Sequence, residues 1–287
     1  MTEPFALSQC KTMTTSDFER LTKLGDYLME PKVDGWRMQV DVSRDAVQMW
    51  TRTNHDATGK MPVVEQHLQH LAGIHSFRLD GEAVYIDPAT GIPDYLFTAS
   101  CLGSHRETCV MKQGGYRDLS FFVFDILQVD GHDVRGKSLG ARKTLLKRFL
   151  SNTGNVQVIL GDEPTYEQHT KNFEQYLEGS VLKDIGSAYA GKRHKSWMKW
   201  KEIETVDVRI IGYKEGQGKF EGLIGAIEFM APDGTKGFCS GMDDSTRIWI
   251  SDHRADLLGH IIEIKHFGKM VDGYRHPQFQ RFREDKI

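Results

Sequence analysis

No stretch of this chain comes near the ~18 consecutive apolar residues that a membrane-spanning helix needs. The N-terminus lacks a basic region followed by an apolar run, so no secretory signal is expected. Cysteine is scarce among the 287 residues: Cys10, Cys101, Cys109 and Cys239 include no CxxC pair. That excludes a zinc ribbon and gives no disulfide framework. Cys101, His105 and Cys109 recur at four-residue intervals, but reduced thiols are a better expectation than a metal and point to a cytoplasmic setting. Net basic charge is missing too. The formal charge of −3 does not announce a nucleic-acid binder. Local charge differs: from Lys183 to Lys201 six lysines and arginines face one acid, Asp184, the footprint of a phosphate-facing surface. No internal repeat or low-complexity segment is present, and the length suits one large and one small domain.

Hydrophobic periodicity supplies the elements. Ser16-Asp17-Phe18-Glu19 reads as a capping box, with Phe18, Leu21, Leu24 and Leu28 at helical spacing towards Glu30. Residues 36–42 and 47–50 read as antiparallel strands, and Pro62 opens a helix with Val64, Leu68 and Leu71 on its apolar face. Residues 77–87 and 120–129 are predicted strands. Ser138 should cap a helix whose Leu145, Leu146, Phe149 and Leu150 point inward. A strand at 156–160, a helix at 166–177 and a strand at 180–183 follow. Beyond Lys201 the texture changes to short strands at 206–213, 223–230, 236–240 and 260–266, with one helix near 244–258. That suits a small Greek-key barrel of the OB type. A boundary near 202–205 divides the chain into domains 1–203 and 204–287.

The chemistry centres on Glu30-Pro31-Lys32-Val33-Asp34-Gly35-Trp36-Arg37. Lys32 is expected at a helix-to-strand turn, its amine facing a cleft. Gly35 would let the backbone approach a ligand, and Asp34 would steer or shield the ammonium. A surface lysine in a β-turn would suit these residues equally well. The motifs downstream tip the balance: Leu79-Asp80-Gly81-Glu82, Phe122-Val123-Phe124-Asp125, Glu178-Gly179-Ser180-Val181-Leu182-Lys183, Trp197-Met198-Lys199-Trp200-Lys201 and Arg283-Glu284-Asp285-Lys286.

In that order they resemble the covalent nucleotidyltransferases, namely ATP-dependent DNA ligases, RNA ligases and mRNA capping enzymes, and most of all small bacterial and bacteriophage DNA ligases. The resemblance implies an α+β fold: a nucleotidyltransferase (adenylation) domain of ATP-grasp-like antiparallel sheets with helices, then a small all-β OB-fold domain. With only about thirty residues before Lys32, it also implies a minimal ligase without a separate N-terminal DNA-binding domain. The activity implied is sealing of 5′-phosphate/3′-OH nicks through lysine–AMP and a DNA-adenylate.

By that resemblance Lys32, Asp34, Lys199 and Lys201 are the catalytic residues. Glu30, Arg37, Arg52, Glu82, Phe124, Lys183, Arg283 and Lys286 join Lys32, Lys199 and Lys201 in binding the cofactor ATP. Glu82 and Glu178, expected on separate strands, are the metal ligands, for Mg²⁺ or a substituting Mn²⁺. Phe124 would stack on adenine, on one face with Phe122 and Ile126. Arg37 and Arg52 would grip ribose or nick phosphates, although Thr51 stands where the family has serine. Lys199 and Lys201 should point the same way from one strand. Arg283 and Lys286 would close over the β- and γ-phosphates.

A free lysine titrates near ~10.4, so a nucleophilic Lys32 implies depression by several units, roughly 4 kcal/mol against the ammonium. Lys183, Lys199, Lys201 or a metal ion are the expected causes. The expected partner is nicked duplex DNA held mainly by its phosphates, by a monomer away from any membrane. The Trp197–Lys201 segment keeps an RNA ligase or a capping guanylyltransferase in view. Gly222-Leu223-Ile224-Gly225-Ala226 and Arg275-His276-Pro277 with Phe279 and Phe282 look more like DNA ligases. A catalytically dead nucleic-acid-binding relative is the rival from another class.

Overall fold

The computed structural model describes residues 3–114, 117–176, 178–201, 204–270, 273–283 and 285–286, apart from the side chains of Leu24 and Met270. Two units divide the chain, Met1–Trp200 and Lys201–Ile287. In chain order the first unit holds β1 (Gln9–Thr12), α1 (Thr15–Leu24), β2 (Tyr27–Pro31), β3 (Trp36–Val42), β4 (Val47–Thr51), α2 (Pro62–Ala72) and β5 (Phe77–Val84). It continues through α3 (Tyr95–Leu102), α4 (Arg106–Gln113), β6 (Ser120–Val129), β7 (His132–Asp133), α5 (Leu139–Phe149), β8 (Val156–Val158), α6 (Tyr166–Tyr176), β9 (Ser180–Asp184) and β10 (Arg193–Trp200).

Among the described residues this unit has two sheets. One runs β4-β3-β5-β6-β7, with β8 added parallel to β6; the other runs β1-β10-β9-β2. The first sheet buries Met38, Val40, Leu79, Phe121, Val123 and Ile126 with Val64 and Leu68 of α2, Leu102 of α3 and Leu146 of α5. On its other face Phe122 lies with Val33 and Val84, and Phe124 with Leu127, Tyr189 and Trp197 of the second sheet's side. The second sheet's outer face is closed by Phe18 of α1 against Met29, Leu182 and Trp200.

Several expectations change. The first helix is capped two residues earlier than predicted: Thr14 Oγ1 accepts from Asp17 N at 3.2 Å while Asp17 Oδ2 accepts from Thr14 N at 3.0 Å. It ends at Leu24, so Leu28 and Glu30 belong to β2 and pair with β9. Gly25 leaves the helical region at φ −169°, and Lys32 therefore follows a strand, not a helix. The strand predicted at 77–87 stops at Val84, and that at 156–160 stops at Val158. Two helices, α3 and α4, were not predicted; the Asp94 carboxylate caps α3 by accepting from Phe97 N at 2.8 Å. Leu177, Glu202 and Glu284, which fall in predicted elements, the boundary and the last motif, lie outside the described residues.

Phe122, Phe124 and Ile126 do not share a face. The β5–β6 register runs from Gly81↔Val123 to Asp80↔Asp125, leaving Phe124 without a partner on β5. This β-bulge reverses the alternation, so Ile126 joins the core behind the sheet with Phe121 and Val123. The Cys101 and Cys109 thiols meet at 3.1 Å as buried free cysteines, with His105 exposed away from them.

The second unit contains β11 (Glu204–Glu215), β12 (Ile224–Met230), β13 (Lys236–Cys239), α7 (Asp244–Asp252), β14 (Ile261–His266), the short β15 (Lys269–Met270) and β16 (Gly273–Tyr274), and β17 (Gln278–Phe282). Its main sheet is antiparallel, in the order β13-β12-β11-β14-β17, around Val208, Ile210, Ile227, Phe229, Ile262 and Ile264. The helix there is shorter than predicted, ending at Asp252. No helix among the described residues is long and apolar enough to cross a membrane.

Candidate active site

The turn bearing Lys32 is fixed on both sides. Lys32 N donates to Gly179 O at 2.9 Å, which ties the end of β2 to the start of β9. A Cβ on Gly35 would fall 2.2 Å from Ala83 O, so only glycine lets the turn lie this close to β5. Val33 is buried between these contacts. The Lys32 side chain then meets Glu178 as an ion pair, with 24% of the lysine and 5% of the glutamate side chain exposed. Glu178 sits in the turn before β9, not on a strand as predicted.

The electrostatics of Lys32 run opposite to expectation. Burial lowers its pKa, but the Glu178 carboxylate, with Glu82 and Asp34 behind it, outweighs burial and holds the amine above the ordinary lysine range. Lys183, expected to depress it, is instead paired with Glu30 at 2.6 Å. Glu82 on β5 stands opposite Arg37 on β3. Burial, then the charges of Glu178 and Asp80, push its carboxyl up to about 8 despite Lys32 and Arg37. Arg37 is locked: its Nε and Nη2 donate to Asp80 at 3.0 and 2.7 Å, and its Nη1 to Ser8 O at 2.7 Å. Tyr189 Oη donates to the same Asp80 carboxylate at 2.6 Å.

Beside this cluster lies a recess of about 230 Å³ lined by Gly35, Arg37, Thr51, Arg52, Thr53 and Glu82. Arg52 is exposed at its mouth, just past the end of β4. Half-buried Phe124 has Arg37 over its ring at 5.1 Å and Lys183 at 4.4 Å. Glu30, 2% exposed, is flanked by two ammonium groups, Lys183 and Lys143, each at 2.6 Å.

Lys199 lies on β10 opposite Val181. The strand ends at Trp200, so Lys201 leaves the sheet, belongs to the second unit and stands over the Phe267 ring at 5.0 Å. The two lysines therefore do not lie on one strand. Arg283 and Lys286, also in the second unit, converge on Asp207 of β11. Arg283 Nη1 donates to its carboxylate at 2.7 and 2.9 Å and Lys286 Nζ at 2.6 Å.

Residues 8–201 match the family described as the ATP dependent DNA ligase domain. The chain belongs to this ligase family. A probable DNA ligase of Streptomyces coelicolor is 31% identical over 255 residues, covering 83% of this chain and 48% of the relative. One from Streptomyces griseus is 28% identical over 268 residues, covering 86% of this chain and 52% of the relative. The chain thus spans about half the length of these curated relatives. A solved Lig E DNA ligase, from a study of DNA binding with a minimal scaffold, superposes with a TM-score of 0.70. That match covers 97% of this chain and 99% of the other at 20% identity, a likeness of fold.

The acids suit the divalent metal such ligases imply. Among the described residues no three His, Cys, Asp or Glu side chains gather into a cage. Mg²⁺ does not need one, since one or two carboxylates, substrate phosphates and retained waters complete its shell. Burial first, and the Glu178 charge after it, disfavour the charged form of Glu82, a penalty that a bound cation would offset.

Three residues of the site were not foreseen. Asp80 lay within a recognised motif without a role, and Tyr189 carries no local signal. Lys143 stands on a helix where a lysine is ordinarily solvated, yet it is 6% exposed.

Proposed function

We propose that this chain is an ATP-dependent DNA ligase that seals nicks in duplex DNA. The observation that carries the reading is Lys32, fixed by a strand end and a glycine turn, its amine paired to Glu178 beside a recess bearing Arg37, Arg52 and Glu82. Once Nζ has released its ammonium proton to solvent, Lys32 attacks the α-phosphate of ATP, the bond to the β-phosphate breaks and pyrophosphate leaves, giving lysine–AMP. AMP then passes to the 5′-phosphate at the nick, and the 3′-OH finally displaces it. Each displacement needs positioning and charge neutralisation more than protein covalent chemistry.

Because Lys32 rests in its charged form, Glu178 keeps the proton on Nζ until that carboxylate is engaged elsewhere. Glu82 and Glu178 are the residues that would hold Mg²⁺, which would supply neutralisation of the phosphate charge. Phe124 offers a ring for adenine, with Glu30 and Lys183 behind it. Arg52, exposed beside Thr51 and Thr53, is placed to take a phosphate. The second unit, read as an OB-fold domain, brings Lys201, Arg283 and Lys286. DNA is held mainly through its phosphates by a monomer.

Incubation with labelled ATP, GTP or NAD and Mg²⁺, followed by denaturing electrophoresis and a nicked-duplex sealing assay, tests this. Label from ATP on Lys32, lost with chelator, together with sealing, is the expected result. Label from NAD alone would overturn the ATP reading, label from GTP would favour a capping enzyme, and sealing of RNA but not DNA an RNA ligase.

A further inference from the structure

The bulge at Phe124 is held by two consecutive residues of α5. Arg142 donates to the Asp125 carboxylate at 2.8 and 3.0 Å, both side chains fully buried. Lys143 Nζ donates to Phe124 O and to Ile159 O, each at 2.7 Å, and pairs with Glu30 Oε1 at 2.6 Å. A single ammonium thus joins the end of β2, the bulge of β6 and the residue beyond β8. Phe124 has no Cα partner on β5, and its carbonyl accepts from Lys143. Ile159 stands past the last β8 pair, Val123↔Val158. Burial lowers the Lys143 pKa, the Glu30 charge opposing, so the group is maintained at a cost in solvation. A lysine is seldom spent so deeply in a helix–sheet contact, where a leucine would pack without that penalty.

Resting on the ligase reading above, we propose that Lys143 is a positioning residue for the nucleotide pocket: it fixes the Phe124 bulge and the Glu30 carboxylate, and so sets the ring and the charge that receive the base of ATP. It touches no reacting atom. Arg142 secures the bulge through a side chain, whereas Lys143 secures the backbone of half-buried Phe124. Loss of Lys143 frees Phe124 O and leaves Glu30 with Lys183 alone. The pocket then loosens while Lys32, Glu82 and Glu178, which Lys143 does not contact, keep their arrangement.

The effect should therefore fall on nucleotide binding. In single-turnover Lys32–AMP formation, Lys143→Met should raise the ATP concentration for half-maximal rate by about tenfold, with the saturating rate changed by less than about threefold. Lys143→Arg, which keeps charge and several donors, should recover most of the affinity. If the methionine variant loses its cooperative melt, Lys143→Gln, with an uncharged amide that donates twice, serves in its place with the same expected split. An unchanged ATP dependence, or a fall confined to the saturating rate, would overturn the inference while leaving the ligase reading intact. A parent protein that forms no adduct with ATP would take down both.

Discussion

Glu82 and Lys32 are both shifted upwards, and each shift has a consequence. An ordinary glutamate titrates near 4.5, whereas Glu82 in the folded chain is pushed up to about 8. Between these values the unfolded chain has given up a proton that the folded chain still holds, so Glu82 makes stability fall as pH rises through that window. Melting by calorimetry across the window should show a steeper decline for the parent than for Glu82→Gln; parallel curves would mean the carboxyl ionises normally. Lys32 has the same sign in a higher window. Its raised pKa means the contribution of the Glu178 pair is complete below the ordinary lysine value of 10.5 and is lost only above it. At neutral pH, Lys32→Met removes the ammonium that faces the buried Glu178 carboxylate and should cost about 1–3 kcal/mol. Adding Glu178→Gln should restore most of that loss in a denaturant titration, and additive losses would show that the pair is not coupled.

At the level of single elements, the basic run from Lys183 to Lys201 serves two environments. Lys183 on β9 is 2% exposed and paired with Glu30. Lys192, Arg193 and Lys195, at and before the start of β10, are exposed. These three, the exposed cations of the run, are the candidates to release counterions from DNA phosphates. Their triple alanine variant should bind nicked duplexes of any sequence more weakly and with a shallower dependence of log affinity on log salt. An unaltered slope would place the DNA-facing surface elsewhere. The bulged β5–β6 pair has a steric counterpart at Gly81, where a Cβ would lie 2.5 Å from Phe121 Cζ and 2.6 Å from Phe122 O. Gly81→Ala must therefore shift the strand beside Glu82 and should cost about 1–3 kcal/mol in unfolding experiments, with adduct formation falling alongside.

On the scale of the whole molecule, the cations proposed for the β- and γ-phosphates lie in a different unit from Lys32. Arg283 and Lys286 belong to the unit without Lys32, and both are neutralised by Asp207, with Asp285 accepting from Arg283 Nε and Nη2 at 2.9 Å. Those partners hold the Arg283 pKa above its ordinary value and that of Asp285 below, the hydrogen bonds between the two coming first. To engage the β- and γ-phosphates the cations must exchange carboxylates for phosphate oxygens, which is possible only before pyrophosphate leaves. Alanine at either position should slow formation of Lys32–AMP by at least about tenfold more than sealing of a nick supplied already adenylated. Lys32→Ala should lose the first rate and keep part of the second, and Glu178→Ala should impair both. Equal losses in the two single-turnover rates for Arg283→Ala and Lys286→Ala would mean that the last motif acts throughout or only braces the fold.

Periodicity and caps in the sequence already determined where most strands lie, that Pro62 and Ser138 open helices, and the order of the motifs that carry the family. These are local properties: alternation, a fixed proline φ and a hydroxyl three residues from an amide need no distant partner. What the tertiary structure decided is how the charges are paired. Nothing near Lys32 in the chain announces that its neighbour is Glu178, 146 residues away, and that its amine is therefore held protonated. Nor does β6, read as one nearly continuous apolar strand with Phe122, Phe124 and Ile126 on one face, disclose the bulge that turns Ile126 away from Phe124, because a register shift exists only in relation to β5. Lys143 is the plainest case. On α5 it reads as one more solvated lysine, and only the three oxygens brought to it by β2, β6 and the segment after β8 give it a place inside, since a buried charge is tolerated only where the fold supplies its partners.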